Sequence, residues 1–211
     1  MLRVVIADDH PVVLKGLKEI IKESFDNSTI DETSTGYGLL RSVEKNEYDL
    51  VLLDISLPDI NGLEVLKTIK KIKPRLAVLI VSMYTEEHYA IRAIKAGAHG
   101  YITKRTASDD LVRAVRHILS GRRYISPSLA EKIMFDFELD IEQPHHNNLS
   151  DRELQVLCMI GRGMTVKEIS EELHLSSNTI RTFRSRILEK LGEKRTSGLV
   201  HYAIKHNLNE Q

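Results

Sequence analysis

The sequence predicts an α/β fold, a five-stranded doubly wound parallel sheet, joined to an all-α domain that contains a helix-turn-helix. Short β-rich runs alternate with segments of helical period through residue 123. Beyond residue 149 the signals are wholly helical. An acidic and then polar stretch separates the two parts, as in a linker. We therefore predict an α/β domain over 1–123, a linker over 124–148 that can hold one short helix, and a helical domain over 149–211.

Five runs are predicted to form the strands of the sheet. They are RVVIA (3–7), TIDET (29–33), LVLL (50–53), AVLIV (77–81) and AHGYIT (98–103), of which the second is the weakest. Continuous aliphatic runs are typical of strands that are buried on both faces. Five strand–helix units at this spacing favour a mostly or wholly parallel sheet, because right-handed crossovers put helices on both faces. We expect the longest strands to be central.

Each strand is followed by a segment with apolar residues at three- and four-residue spacings, which predicts a helix. These segments are PVVLKGLKEIIKES, GYGLLRSVEKN, NGLEVLKTIKKI, EEHYAIRAIKAG and ASDDLVRAVRHILSG. Gly97 and Gly121 suit helix ends. SPSLAEKIM (126–134) can form one more short helix, and FDFELDIEQPHHNN (135–148) reads as linker. The adjacent His145 and His146 cannot easily point at one metal ion, so we expect both to be solvated.

Composition excludes few classes of protein. Thirty basic and thirty acidic residues balance, so net charge alone indicates neither nucleic acid nor a membrane as partner. The single cysteine, Cys158, excludes an intramolecular disulfide and is expected to be a small apolar core residue. Without a signal peptide or a long apolar run, the chain is predicted to be cytoplasmic, with no membrane anchor.

Polar residues stand where four of the five predicted strands end. Asp8 and Asp9 follow the first strand, Asp54 the third, Ser82 the fourth and Lys104 the fifth. The carboxyl ends of parallel strands meet at one edge of an open sheet, which is where ligands bind. We therefore expect three carboxylates, a hydroxyl and an ammonium group to lie close together at that edge.

Three neighbouring carboxylates repel one another, so they take up a proton or hold a cation. Hard oxygen ligands with room for water suit Mg²⁺. With the charge neutralised, one carboxylate can attack a phosphoryl group, and we predict Asp54 to be that phosphoacceptor. Lys104 would bind a phosphoryl oxygen and Ser82 would donate a hydrogen bond.

At these residues the sequence resembles a known family. DDHPVVLKGL, DISLPDINGLEVL and VSMYTEEHYAIRAIKAGAHGYITK are similar to the receiver domain, with its CheY-like (flavodoxin-like) fold, of two-component response regulators of the NarL/FixJ type. The resemblance implies that Asp54 accepts phosphate from a phosphohistidine of a sensor histidine kinase. It also implies that Asp8, Asp9, Asp54 and the backbone carbonyl of Ser56 hold Mg²⁺, and that Tyr101 is the aromatic switch residue. Core packing is the alternative role for Tyr101.

Two other classes of protein compete with this interpretation. A metal-dependent phosphatase can also use an aspartyl nucleophile at a strand end, but it usually needs a second Asp two residues later, where this chain has Ser56. A scaffold could use the receiver fold without phosphorylation, although the complete acidic site argues against that. We expect a protein that accepts and slowly loses its own phosphoryl group, not a multiple-turnover enzyme.

The helical part carries the signals of a helix-turn-helix. SDRE (150–153) and TVKE (165–168) match the capping box and mark two helix starts. Gly163 closes the first helix. After the second helix comes the tight LSS (175–177), and a third helix begins near Asn178.

The third helix has an apolar and a basic face. Ile180, Phe183, Ile187 and Leu191 form the apolar stripe, which must pack inward. Residues 180–195 carry six basic and two acidic residues, a net charge of +4 that the neutral whole chain conceals. The second helix of such a motif enters the major groove of DNA. An ordinary solvated face is the alternative.

From Leu149 onward the sequence resembles the LuxR-type DNA-binding domain, through LSDRELQVLCMIGRGMTVKEISEELHLSSNTIRTFRSRILEKLG. The resemblance and the helix face together predict double-stranded DNA as a partner. Base-edge contacts are expected from Arg181, Thr182 and Ser185, with Asn178 on the same face, and phosphate contacts from Arg184, Arg186 and Lys190. In the family the last helix, here TSGLVHYAIKHNL (196–208), serves dimerisation, so a homodimer on phosphorylation or DNA binding is expected. Core packing of Leu199, Val200, Ala203 and Ile204 is the alternative.

Overall fold

A computed structural model describes residues 1–126, 129–131 and 145–209, including all their side chains except those of residues 87 and 88. The chain divides into two compact units, Met1–Glu138 and Leu139–Gln211. The predicted helix over 126–134 lies partly outside the described residues, and the linker over 135–148 lies mostly outside them. The predicted domain bounds at 123 and 149 therefore stay predictions.

The first unit is the predicted doubly wound sheet. Its strands are β1 (Leu2–Ala7), β2 (Ser28–Thr33), β3 (Leu50–Leu53), β4 (Ala77–Ser82) and β5 (Gly100–Thr103). Their order across the sheet is β2-β1-β3-β4-β5, and every neighbouring pair is parallel. The α/β prediction is confirmed, including the weak second strand. The expectation that the longest strands are central is wrong, because the central strand β3 has four residues and the edge strand β2 has six.

Five helices follow the strands in alternation. They are α1 (Pro11–Ser24), α2 (Gly36–Lys45), α3 (Gly62–Ile72), α4 (Glu86–Lys95) and α5 (Ala107–Leu119). Apolar side chains of α1 and α5 pack with those of β1, β3 and β4 in one core. Gly97 and Gly121 follow α4 and α5 with φ angles of 102° and 83°, conformations that favour glycine. The three-layer arrangement leaves the strand ends open to form a site.

The second unit is helical throughout its described residues. A 3₁₀ helix (His145–Asn148) precedes α6 (Asp151–Gly161), α7 (Val166–Glu172), α8 (Ser177–Leu191) and α9 (Thr196–Lys205). Both predicted capping boxes are present, with Ser150 and Glu153 at the start of α6 and Thr165 and Glu168 at the start of α7. The short α7, the tight turn and the longer α8 form the predicted helix-turn-helix.

The expectation that both linker histidines are solvated is wrong for His146. His145 is exposed, but His146 is buried. Its backbone nitrogen and its Nδ1 lie 3.2 and 3.1 Å from the hydroxyl of Tyr202, and its ring packs edge-on to that of His206. The segment is thus held to α9 by a contact between residues far apart in sequence.

None of the helices in the described part of the chain has both the length and the apolar character needed to cross a membrane.

Candidate functional site

A buried acidic site lies at the carboxyl ends of β1 and β3. The side chains of Asp8 and Asp54 are only 1% and 2% exposed. The Nζ atom of Lys104 lies 2.7 Å from Oδ2 of Asp8 and 2.7 Å from Oδ2 of Asp54. The Lys104 side chain is itself 5% exposed, so a single buried cation bridges two buried carboxylates.

The strand registers bring these residues together. Ala7 pairs with Leu53, so β1 and β3 end side by side and the next residues, Asp8 and Asp54, become neighbours. Ser82 pairs with Thr103, and the backbone N–H of Lys104 donates to the Ser82 carbonyl at 2.7 Å. The structure therefore brings the three acidic residues and Lys104 together at one edge of the sheet, as expected from the strand ends.

Gly62 lets the start of α3 approach the site closely. Its N–H donates to the Ile55 carbonyl at 2.9 Å. A Cβ atom at this position would lie 2.1 Å from the carbonyl oxygen of Asp54, closer than van der Waals contact allows. Asn61 caps the same helix by accepting a hydrogen bond from the N–H of Leu63 at 2.9 Å. The Asn61-Gly62 pair thus fixes where α3 begins relative to the acidic residue.

Burial and charge perturb both partners of the central ion pair. Burial raises the pKa of the Asp54 carboxyl above its ordinary value, although the Lys104 ammonium acts in the opposite direction. Burial disfavours the charge on Lys104, but the attraction of Asp54 and Asp8 outweighs this effect and raises the pKa of Lys104. Lys104 is therefore a fixed positive charge at neutral pH.

The acidic cluster has a donor set that could hold a metal ion. Single ligand atoms of Asp8, Asp9, His10 and Asp54 all lie within 4.8 Å of one another. Oδ2 of Asp8 is buried and has no hydrogen-bond partner in the described part of the chain, although the Lys104 ammonium forms an ion pair with it at 2.7 Å. Ser56 hydrogen-bonds the Asp54 carboxylate through its backbone. A cation placed here would offset the excess of negative charge.

His10 is a member of this cluster that the sequence argument missed. Its Nδ1 lies 2.6 Å from Oδ1 of Asp9, and its backbone N–H donates to Oδ1 of Asp8 at 2.9 Å. The signal was its position directly after the two acidic residues. What could not be foreseen is that the chain turns into α1 in a way that aims the imidazole back at them.

Tyr101 and Ser82 lie buried beside the acidic site. Tyr101 is fully buried, and its hydroxyl donates to the carbonyl of Tyr84 at 2.7 Å. Burial raises the pKa of the Tyr101 phenol well above its ordinary value, while a hydrogen bond with Ser82 acts in the opposite direction. The ring of Tyr84 stacks on that of Tyr89 with centroids 4.5 Å apart. Hydrogen bonds thus connect the Ser82 hydroxyl to the Tyr101 hydroxyl, and the Tyr101 hydroxyl to the Tyr84 carbonyl.

Helix α8 presents the predicted polar face to solvent. Six of the seven predicted DNA-contacting residues are exposed: Asn178, Arg181, Thr182, Ser185, Arg186 and Lys190. The two hydroxyl groups in this set donate to helix carbonyls four residues earlier, and the guanidinium of Arg181 donates to Asn178 at 2.9 Å. On the opposite side, Ile180 and Ile187 are fully buried. The two-faced helix predicted from the sequence is present.

Two of the predicted phosphate contacts have other surroundings. Arg184 is half-buried, and its Nε has no hydrogen-bond partner among the described residues. The Lys190 ammonium lies 2.6 Å from Oε2 of Glu153, the capping-box residue of α6. Although burial opposes it, the hydrogen bonds from Lys190 and Ser150 lower the pKa of Glu153. Lys190 therefore also ties α8 to the start of α6.

Helix α9 divides its apolar residues between the core and the surface. Leu199 and Ala203 are fully buried, and a Cβ on Gly161 of α6 would lie 2.5 Å from the Cβ of Ala203. Val200 is half-buried and Ile204 is 53% exposed. Leu199 and Ala203 therefore pack in the core of this unit, whereas Ile204 lies on its surface.

The fold and the two sites define a class of protein, a receiver joined to a helix-turn-helix module. Residues 4–116 match the response regulator receiver domain family, and residues 147–203 match the bacterial regulatory proteins, luxR family. The chain belongs to the response regulators of the NarL/FixJ type. It is a two-component response regulator and a DNA-binding transcription regulator.

Similar proteins match over nearly the full length. The chain is 34% identical over 209 residues to response regulator UvrY of Escherichia coli K12, covering 99% of this chain and 96% of that protein. It is 31% identical to response regulator GacA of Pseudomonas aeruginosa, covering 99% and 98%. Among solved structures, two RcsB dimers bound to two parallel DNAs match with a TM-score of 0.59 and 25% identity, over 96% of this chain and 98% of that one.

Proposed function

We propose that Asp54 accepts a phosphoryl group from a phosphohistidine of a sensor histidine kinase. The observation that carries this proposal is the buried Asp54 carboxylate in contact with a protonated Lys104, whose ammonium group also contacts the buried carboxylate of Asp8. A carboxylate oxygen of Asp54 attacks the phosphorus, the phosphorus–nitrogen bond breaks, and the released imidazole takes up a proton. Lys104 then binds an oxygen of the transferred group.

Mg²⁺ is the ion that we propose for the acidic cluster, held by Asp8, Asp9, Asp54 and the carbonyl of Ser56. Such ligands are the hard oxygens that Mg²⁺ prefers, and the bound ion would neutralise negative charge on the phosphoryl group. The protein's own contribution is to bury the carboxylates and to hold Lys104 beside them. These residues orient the group and exclude water from the acyl phosphate.

We further propose that Ser82 and Tyr101 transmit the modification. Phosphorylation adds about −1.5 to −2 charges at Asp54, and the Ser82 hydroxyl turns to donate to the new oxygens. That movement withdraws Ser82 from Tyr101, whose hydroxyl is linked to the Tyr84 carbonyl. To shift the equilibrium between the inactive and the active state from about 1:99 to about 99:1, the active state must be stabilised by about 5.5 kcal/mol relative to the inactive one. Dimerisation and DNA binding can supply part of this energy, and the contacts of the phosphoryl group the rest.

The output that we propose is binding of a homodimer to promoter DNA in the cytoplasm. RcsB dimers bound to DNA, in a protein of the same family, support the dimeric state. The basic, exposed face of α8 supports major-groove contact. Two copies of α8 would read half-sites about 34 Å apart, one turn of the double helix.

Stoichiometry distinguishes this function from the phosphatase alternative. The full chain is incubated with acetyl phosphate and Mg²⁺, and both protein-bound and free phosphate are followed over time. A regulator acquires at most one phosphoryl group per chain and loses it slowly, without turnover of an unrelated aryl phosphate. Sustained hydrolysis of the aryl phosphate would instead make the protein a phosphatase. Full DNA binding and regulation by a chain that takes up no phosphate would favour the unphosphorylated scaffold.

Arg181 tests the DNA-binding half of the proposal, with Arg186 as a matched control. We expect Arg181→Ala to lower affinity for a duplex selected from a random library by about 1–3 kcal/mol, and to change affinity for random DNA less. Arg186→Ala should weaken both by similar amounts, as a phosphate contact does. Fluorescence anisotropy at several salt concentrations measures both. Equal losses on both duplexes for Arg181→Ala would make Arg181 a phosphate contact.

A further inference from the structure

His10 places an imidazole nitrogen against the acidic cluster. Its Nδ1 lies 2.6 Å from Oδ1 of Asp9 and 3.3 Å from Oδ1 of Asp8. His10 is the residue before α1, yet its side chain makes no capping hydrogen bond to that helix, which begins with Pro11. The ring is half exposed, so water and ions can reach it. The backbone of His10 starts α1 by accepting a hydrogen bond from the N–H of Leu14 at 3.1 Å, whereas its side chain contacts the acidic cluster.

An imidazole changes which ions a carboxylate site prefers. Carboxylate and carbonyl oxygens suit Mg²⁺, which keeps most of its water and gains little from nitrogen ligands. Imidazole suits Zn²⁺ and the other later first-row transition metals, whereas Mn²⁺ binds most weakly in that series and also accepts oxygen ligands. A site with three carboxylates and one imidazole is thus a mixed nitrogen and oxygen site.

We propose that Nδ1 of His10 is a further ligand for a metal ion held by Asp8, Asp9 and Asp54, and that it makes the site bind Mn²⁺ and Zn²⁺ more tightly than the carboxylates alone would. The ligand atoms of all four residues lie within 4.8 Å of one another, a separation that one ion can bridge. This inference rests on the metal site of the proposed function, and it adds a ligand and an ion preference to that site.

A competing role for His10 predicts the opposite sign. An imidazole that only pairs with Asp9 would occupy the place of the ion, and its removal would raise the affinity for every divalent cation. An imidazole ligand, once removed, lowers the affinity for Mn²⁺ and Zn²⁺ and leaves Mg²⁺ nearly unchanged. The comparison of three ions on one variant therefore separates the two roles.

The test uses the full chain, the variant His10→Leu and the control His201→Leu, which removes an exposed histidine of α9. Dissociation constants for Mg²⁺, Mn²⁺ and Zn²⁺ are measured by calorimetry. Nitrogen-15 spectra of the histidine rings are recorded with one equivalent of Zn²⁺, and the His10 signal among the nine histidines is identified by its absence from the variant. Neither readout depends on phosphorylation.

We expect Zn²⁺ to shift the Nδ1 resonance of His10, and His10→Leu to weaken Zn²⁺ binding by about tenfold and Mn²⁺ binding by a smaller factor. Mg²⁺ affinity should change less than twofold, and His201→Leu should change none of the three at this site. An unmoved His10 resonance, or a variant that binds all three ions as well as the wild type or better, would overturn the inference. Phosphorylation of Asp54 in Mg²⁺ would still proceed in that case, so the two proposals fail separately.

Discussion

Replacement of Lys104 by Met removes the cation that bridges two buried carboxylates. At a nitrogen-to-oxygen distance of 2.7 Å, each pair gains about 6 kcal/mol of Coulomb energy at an effective dielectric constant of about 20. Desolvation offsets most of that gain, and the loss of one partner of a buried pair costs about 3–5 kcal/mol. We expect Lys104→Met to lower the free energy of unfolding of the receiver unit by that amount, since Asp8 and Asp54 are left unpaired.

Lys18→Met is the matched control, because Lys18 pairs with Glu32 at the surface, where their side chains are 30% and 32% exposed. Its cost should be much smaller than that of Lys104→Met, because exposed ion pairs contribute little to stability. The stability of the receiver unit alone is measured by unfolding the protein in urea and monitoring the exchange of the amide hydrogens of β1 and β3. Mg²⁺ at 100 times its dissociation constant should raise the free energy of unfolding of the Lys104→Met variant by about 2.7 kcal/mol. Equal costs for the two substitutions, or no effect of Mg²⁺, would refute the reasoning.

Two further predictions concern the fold around each site. Gly62→Ala should destabilise the receiver unit by about 1–3 kcal/mol, because its Cβ would meet the Asp54 carbonyl. Gly16→Ala, at an open position of α1, should stabilise the receiver unit by about 0.5–1 kcal/mol. If the two substitutions shifted the urea midpoint in the same direction, both predictions would be contradicted. Tyr202→Phe should destabilise the second unit by about 1 kcal/mol, because His146 loses its hydrogen bonds with the Tyr202 hydroxyl. Amide exchange at residues 145–148 should become faster for the same reason. Unchanged exchange there would show that the contact does not hold the segment.

The α/β fold and the acidic site could both be predicted from the sequence, because they depend on local patterns of residues. Asp54 after an aliphatic run and Lys104 after the last strand are visible in the sequence alone. The parallel topology then brings them together, since strand ends share one edge. The bounds of β3 were predicted correctly, but the expectation that the longest strands are central was wrong, because the edge strand β2 has six residues and the central β3 has four.

Contacts between residues distant in sequence were the ones missed. His146 looked solvated because its neighbours are polar, but its partner Tyr202 lies 56 residues later. Lys190 looked like a free surface cation on the basic face, but Glu153 is 37 residues earlier and binds it. Periodicity assigns a face to each residue and does not identify its partner on another helix.

Intact-mass spectrometry after incubation with a small-molecule phosphodonor tests the central claim most directly. The wild type, Asp54→Asn and the exposed control Asp26→Asn are compared with and without Mg²⁺. We predict one Mg²⁺-dependent phosphoryl adduct on the wild type and on Asp26→Asn, and none on Asp54→Asn that remains folded by circular dichroism. An adduct of equal yield on folded Asp54→Asn would contradict the assignment of Asp54 as the phosphoacceptor.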